Sequence, residues 1–160
     1  MLNEQPHSDL PLNPRVDFYL LPSADPGECL IWVCRLTEKA YRAGHRVHIH
    51  CRDGGEAMAL DELLWRFRAA SFVPHVRLGE EPVDPEIPVT LGHGRRQPEH
   101  NDVLINLDGD IPEWHGGFRR IAELVPQLPE QRLLSREHFR RYKALGYSLQ
   151  THDLSESTAQ

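Results

Sequence analysis

Residues 103–107 read VLINL, a short apolar run without a charged side chain. Such a run is typical of a strand that is buried on both faces of a parallel sheet. Two runs nearer the N-terminus, VDFYLL at residues 16–21 and RVHIHC at residues 46–51, have a similar β-branched and apolar character, and residues 87–91 are a weaker strand candidate. These runs predict that a sheet forms the centre of the protein.

The segments between the predicted strands carry apolar side chains every three or four positions, which is the spacing of a helix face. They predict helices at residues 28–43, 54–67, 118–125 and 131–145. Because strands and helices alternate, the pattern favours an α/β fold of three layers, with helices on both faces of a mostly parallel sheet.

The chain has 160 residues, and we expect a single domain at residues 16–150. Residues 1–15 are polar and proline-rich and are expected to be a flexible extension, whereas residues 151–160 are expected to be a polar tail that frays. No apolar run approaches the roughly 20 residues that span a bilayer, and the polar start does not resemble a signal peptide. These features predict a cytoplasmic protein. The three cysteines show no CxxC pair, which favours reduced thiols, two in a helix and one in a strand.

The final predicted helix concentrates positive charge in a chain whose net charge is −6. On a helical wheel, five of its side chains fall within an arc of roughly 100°: Arg132, Arg136, Phe139, Arg140 and Lys143. The opposite side carries side chains that are expected to face the core: Leu134, His138, Tyr142 and Leu145. We therefore expect Phe139 to be an exposed aromatic among cations.

This arrangement suits a ligand that is both acidic and apolar, since guanidinium groups bind carboxylates in pairs and a phenyl ring offers a flat contact. An acidic peptide with a terminal aromatic residue fits, and so does single-stranded nucleic acid, through its phosphates and bases. A solvated helix face, whose cations complement the helix dipole, explains the same residues equally well.

A second concentration of apolar and aromatic residues lies at the end of the second predicted helix and in the loop after it: Leu64, Trp65, Phe67, Phe72, Val73, Pro74 and His75. Packing in the core explains any one of these residues. As a group they also match an apolar groove for a partner protein.

Motifs for chemistry are weak. Residues 53–56 (DGGE) follow a strand, but they lack the lysine of a phosphate loop and carry two acids. Asp108 and Asp110 could hold Mg²⁺, although an Asp-Gly turn explains them as well. A zinc site at His48, His50 and Cys51 is disfavoured, because on a strand the histidines share one face and Cys51 points to the other.

Four ordered pieces of sequence resemble the chi subunit of bacterial DNA polymerase III. They are the strand VDFYLL, the segment DELLWRF…SFVPH, the strand DVLINL and the ending REHFRRYKALGYSL. The resemblance covers residues 16–149, and its best markers are SFVPH near a Trp and RYKxxG near the end.

The resemblance implies a fold similar to mononucleotide-binding α/β proteins, no catalysis of its own and no cofactor or metal. It implies two partners, the psi subunit of the clamp loader and the acidic C-terminal tail of the single-stranded DNA-binding protein, which ends in an aromatic residue and a free carboxylate. Some family members are also linked to a repair helicase that competes for the psi-facing surface. Nucleic acid would then be reached only indirectly.

By the family pattern, contacts to the tail fall on five residues: Val125, Arg132, Arg136, Phe139 and Arg140. The psi-facing surface includes Trp65 and Phe72. The expected function is thus an accessory subunit that links the clamp loader to coated single-stranded DNA during replication. Two alternatives remain open from the residues themselves, a nucleotide- or metal-dependent enzyme that uses Asp108 and Asp110, and a direct single-stranded DNA binder that uses the basic helix.

Overall fold

The computed structural model describes residues 13–67 and 72–154 of the protein. The described residues form one parallel sheet with seven strands: β1 Arg15–Leu20, β2 Val47–Cys51, β3 His75–Arg77, β4 Val89–His93, β5 Val103–Asn106, β6 Arg120–Val125 and β7 Ser148–Asp153. Three α-helices accompany them: α1 Pro26–Arg42, α2 Gly54–Arg66 and α3 Pro129–Ala144. A short 3₁₀ helix spans Glu113–Gly117.

The strands lie in the order β3-β4-β2-β5-β6-β1-β7, and every neighbouring pair is parallel. A first apolar core lies between α1, α2 and one face of β2, β4 and β5. A second apolar core lies between α3, the 3₁₀ helix and the opposite face of β1, β5 and β6. The predicted α/β fold with a mostly parallel sheet and helices on both faces is confirmed.

Helices α1 and α2 start at capping aspartates in the loops that follow β1 and β2. The Asp25 carboxylate accepts a hydrogen bond from the backbone N–H of Glu28 at 3.0 Å, and Asp53 accepts one from Glu56 at 2.8 Å. Each carboxylate satisfies a donor that the first turn of a helix leaves unpaired. After α3, Gly146 adopts a φ of 84°, which favours glycine and turns the chain back towards β7.

The helix predicted at residues 118–125 is wrong, because Arg120–Val125 forms strand β6 between β1 and β5. Ile121 and Val125 are four residues apart, a spacing that puts two side chains on the same face of a helix and also of a strand. Burial within the sheet therefore decides the conformation. Strand β3 was not predicted, and β4 begins at Val89, two residues after the start of the predicted run.

The C-terminal tail expected to fray from residue 151 is wrong for its first residues, since β7 pairs with β1 through Asp153. At the other end, Arg15, assigned to the flexible extension, belongs to β1. Residues 1–12 and 155–160 lie outside the described residues. Within the described part of the chain, no helix combines the length and apolar character needed to cross a membrane.

Candidate functional site

A buried cluster of polar side chains joins helix α3 to the sheet. Glu123 on β6 accepts hydrogen bonds from the Tyr142 hydroxyl at 2.6 Å and from the Asn106 side-chain amide at 3.0 Å. Nδ1 of His138 lies 3.1 Å from Glu123, and its Nε2 lies 2.7 Å from the Gly109 carbonyl oxygen. His138 and Tyr142 therefore face the sheet, as the wheel predicted, and the opposite side of α3 faces outward.

The outward side of α3 presents three exposed arginines, Arg132, Arg136 and Arg140, which we call the cationic face. Beside it, at the start of the helix, lies an open groove of about 550 Å³. The groove is lined by Gln127, Leu128, Pro129, Arg132, Leu133 and Arg136. Two guanidinium groups thus share one depression with apolar side chains.

Phe139 is half-buried, so the expectation of an exposed aromatic is corrected. Its ring centroid lies 5.5 Å from that of Phe18, at the border of the second core. Val125, at the end of β6, is buried in the same core. Leu145, expected to face the core, is exposed, because α3 ends at Ala144 and the chain turns away.

The cationic face and the groove can bind a peptide that combines carboxylates with an apolar side chain. Arginine donates charge-assisted hydrogen bonds to carboxylates, which are stronger than neutral ones. Leu133, which follows Arg132 in α3, is 60% exposed and provides apolar surface in the groove. The part of the groove formed by Leu128, Pro129 and Leu133 was missed from the sequence, where the apolar residues near the cations showed no pattern.

A second surface is formed by Trp65 at the end of α2 and Phe72 in the loop before β3, and we call it the aromatic patch. Trp65 is 58% exposed and Phe72 is 56% exposed, and their ring centroids are 5.1 Å apart. Core packing therefore does not account for these two residues. Met58 on α2 is also exposed. Of the other residues in this group, Leu64, Val73 and His75 are buried, whereas Phe67 and Pro74 are partly buried.

His75 supports the aromatic patch from below. Its ring centroid lies 4.9 Å from that of Trp65. Its Nε2 lies 2.8 Å from an oxygen of Asp61, and its Nδ1 lies 2.7 Å from the Val73 carbonyl oxygen. Asp61 in turn accepts a hydrogen bond from Arg77 at 2.9 Å. The two exposed rings thus rest on a side chain that is fixed at both ends.

The candidate magnesium loop is occupied by contacts within the protein. Asp108 lies 3.5 Å from His50, and its backbone N–H donates to the Asn106 side chain at 3.2 Å. The carbonyl oxygen of Asp110 accepts a hydrogen bond from Asn106 at 3.3 Å. Within this loop the contacts join β5 to α3 and β2, so the Asp-Gly turn has a structural role.

The disfavoured zinc site has the geometry expected from the strand. His48 and His50 both pack against Trp114 on one face of the sheet, whereas Cys51 lies in the first core on the other face. Burial, reinforced by the neighbouring His50 and His100, holds the pKa of His48 well below its usual range. Among residues 13–67 and 72–154, no group of three or more potential ligands is arranged to hold a metal ion.

The three cysteines are buried free thiols, Cys29 and Cys34 in α1 and Cys51 in β2, as predicted. Burial raises the pKa of all three, that of Cys34 to about 12. A thiol with a raised pKa is a poor nucleophile, because the thiolate is the reactive form.

Comparison with known proteins shows which family the chain resembles. A family profile described as "DNA polymerase III chi subunit, HolC" matches residues 14–150. The DNA polymerase III subunit chi of Pseudomonas aeruginosa is 48% identical over 140 residues, 88% of this chain and 96% of that protein. The Escherichia coli subunit chi is 34% identical over 74% of this chain and 81% of its own length. The Haemophilus influenzae subunit chi is 31% identical over 76% and 84%.

Proposed function

The chain belongs to the DNA polymerase III chi subunit family, and from that premise we propose that it is a non-catalytic adaptor that links the clamp loader to single-stranded DNA-binding protein. One surface would bind the acidic C-terminal tail of that protein, and a second surface would bind the psi subunit. Such an adaptor acts in the cytoplasm, where replication takes place, and touches DNA only through its partner.

The observation that carries this proposal is the groove beside the cationic face. An acidic tail that ends in an aromatic residue has two features to satisfy, its carboxylates and its ring. Arg132 and Arg136 line the groove together with Leu128, Pro129 and Leu133. Arg140 and Phe139 continue the same side of α3 by one turn. The groove therefore offers both kinds of contact within reach of a short peptide.

The aromatic patch supports the psi-facing half of the proposal. Large exposed aromatic side chains are enriched among the residues that contribute most to protein interfaces. Trp65 and Phe72 lie together on the α2 side of the sheet, whereas the cationic face belongs to α3 on the other side. Two partners could therefore bind at once. A repair helicase that uses the aromatic patch would compete with psi and leave the tail site free.

The experiment is a fluorescence anisotropy titration with a labelled peptide of the acidic tail, across a salt series. A well-formed hydrogen bond to a charged group contributes about 1.5–3 kcal/mol, so Arg136→Ala should weaken binding by roughly tenfold or more. Amidating the peptide's C-terminus should also cost affinity, since one carboxylate is lost. Affinity should fall as salt rises, because exposed charges are screened.

The matched control is Arg141→Ala, which removes the same charge from α3 but lies outside the arc of the cationic face. It should bind the tail nearly as tightly as the wild type. Phe139→Ala should weaken binding with little change in the salt dependence, because it removes contact area and no charge. If Arg136→Ala binds the peptide as tightly as the wild type does, and the amidated peptide binds as tightly as the unmodified one, the cationic face is only a solvated helix surface.

A further inference from the structure

The buried cluster beneath α3 joins three elements directly behind the proposed tail site. Glu123 belongs to β6, His138 belongs to α3, and Gly109 lies in the loop after β5. The side chains of His138 and Glu123 are 5% and 7% exposed. His138 lies between Arg136 and Phe139 in the sequence of α3, so the residue that faces the sheet is next to the residues that face the ligand.

Both ring nitrogens of His138 face oxygen atoms that can only accept hydrogen bonds. Nδ1 lies 3.1 Å from a carboxylate oxygen of Glu123, and Nε2 lies 2.7 Å from the backbone carbonyl oxygen of Gly109. A neutral imidazole carries a single N–H, whereas an imidazolium carries two. Both oxygen atoms therefore receive a hydrogen bond from the ring only when His138 is protonated.

The surroundings of His138 favour the same state. Burial by itself lowers the pKa of this ring, but the hydrogen bond and the negative charge of Glu123, aided by the Gly109 carbonyl, outweigh burial and raise it above its usual value. Arg141 on the same helix opposes the charge. The Tyr142 hydroxyl donates to Glu123, and Asp108 of the Gly109 loop lines the same small pocket as the ring, together with the polar residues Asn106, Gln131 and Ser135.

We propose that His138 is a positioning residue: as an imidazolium bound between Glu123 and the Gly109 carbonyl, it holds α3 where the cationic face and the groove can bind an acidic peptide. This inference rests on the proposed function and adds that peptide binding depends on the protonation of one buried side chain. Peptide binding at α3 and protonation of His138 favour one another.

Deprotonation removes one of the two hydrogen bonds of the ring. Either the Gly109 carbonyl or the Glu123 carboxylate then faces a nitrogen lone pair, and Glu123 is left buried without its cation, which is costly. A histidine with a raised pKa contributes fully below the ordinary pKa, and the contribution is lost as pH rises through the folded-state value. Affinity for an acidic peptide should therefore be highest near pH 6 and fall towards pH 8.

The wild type and three variants of the full chain test this assignment with a labelled peptide of several aspartates ending in phenylalanine. Wild-type affinity should fall by about fivefold between pH 6 and pH 8, a coupling typical of linked sites. His138→Arg keeps a permanent cation that can donate to both acceptors, and its affinity should be high and flat with pH. His138→Gln should bind weakly and also without pH dependence. His45→Gln, which changes a histidine paired with Asp102 elsewhere, should keep the wild-type profile.

Solution NMR adds a readout that packing alone would not change. The His138 ring should titrate at a higher pH when the peptide is bound, because the coupling is reciprocal. If His138→Gln binds like the wild type at pH 6, or if His138→Arg keeps the wild-type pH profile, the positioning role is wrong and the proposed function stands. If the wild type does not bind the peptide at any pH, the tail site itself is wrong, and the positioning role falls with it.

Discussion

Glu123 joins two side chains of α3 to the sheet. Its buried carboxylate accepts hydrogen bonds from Tyr142 and Asn106 and faces the His138 ring. A buried carboxylate is tolerated only when donors surround it, so each partner removed leaves charge unsatisfied. Burial and, after it, the negative charge of Glu123 raise the pKa of Tyr142, which keeps the hydroxyl protonated as a donor.

Tyr142→Phe removes one donor from Glu123 without changing the shape of the core. We expect the free energy of unfolding to fall by about 1–3 kcal/mol, the cost of leaving a buried polar group unsatisfied. Tyr41→Phe, in a half-buried site on α1, is the control and should change stability by less than about 0.5 kcal/mol. The measurement is denaturant unfolding at neutral pH. An unchanged midpoint for Tyr142→Phe would mean that the hydroxyl does not stabilise Glu123.

The helical wheel correctly predicted which side of α3 most of its side chains face. It placed His138 and Tyr142 inward and the three arginines outward, because the direction of a side chain on a regular helix follows from its position. It failed for Phe139, since the ring packs on Phe18 of β1, a contact between elements far apart in sequence. Glu123 could not be recognised as buried while its segment was expected to be a helix.

At the level of the elements, the ends of α1, α2 and α3 lie within two residues of the predicted ends. Local signals account for this agreement, namely the capping aspartates and the glycine after α3. Strand β6 was mistaken for a helix and β3 was missed. Both outcomes depend on pairing in the sheet, of β3 with β4 and of β6 with β5 and β1, which the apolar pattern within a single segment does not show.

Truncation to alanine should affect stability differently at an exposed position beside α2 and at a buried position of α2. Phe72→Ala removes an exposed ring and should change the free energy of unfolding by less than about 1 kcal/mol, as usual for surface positions. It should nevertheless abolish co-purification with psi. Leu64→Ala, at a fully buried position of α2, should cost about 2–5 kcal/mol.

Thermal unfolding and a pull-down on immobilised psi measure these two outcomes. A loss of stability for Phe72→Ala as large as that for Leu64→Ala would assign the ring to the core. Retention of psi by a stable Phe72→Ala would remove the aromatic patch from the interface.

The whole molecule combines an acidic surface with one basic helix. The net charge is −6 and the isoelectric point is about 5.9, which disfavours non-specific contact with DNA, whereas the cationic face supplies a local positive field. The proposed tail site and the aromatic patch belong to helices on opposite faces of the sheet. This separation is what an adaptor between two proteins requires. The alternation of strands and helices predicted helices on both faces of the sheet, whereas the placement of the two surfaces on opposite faces comes from the structure.

The measurement that tests the central claim most directly is a bridging assay on immobilised psi with nuclease-treated single-stranded DNA-binding protein. That protein should be retained on psi only when the chain is present. Arg136→Ala should remain on psi but lose the DNA-binding protein, Phe72→Ala should lose both, and Arg141→Ala should behave like the wild type. Retention of the DNA-binding protein without the chain, or through Arg136→Ala at wild-type level, would contradict the account.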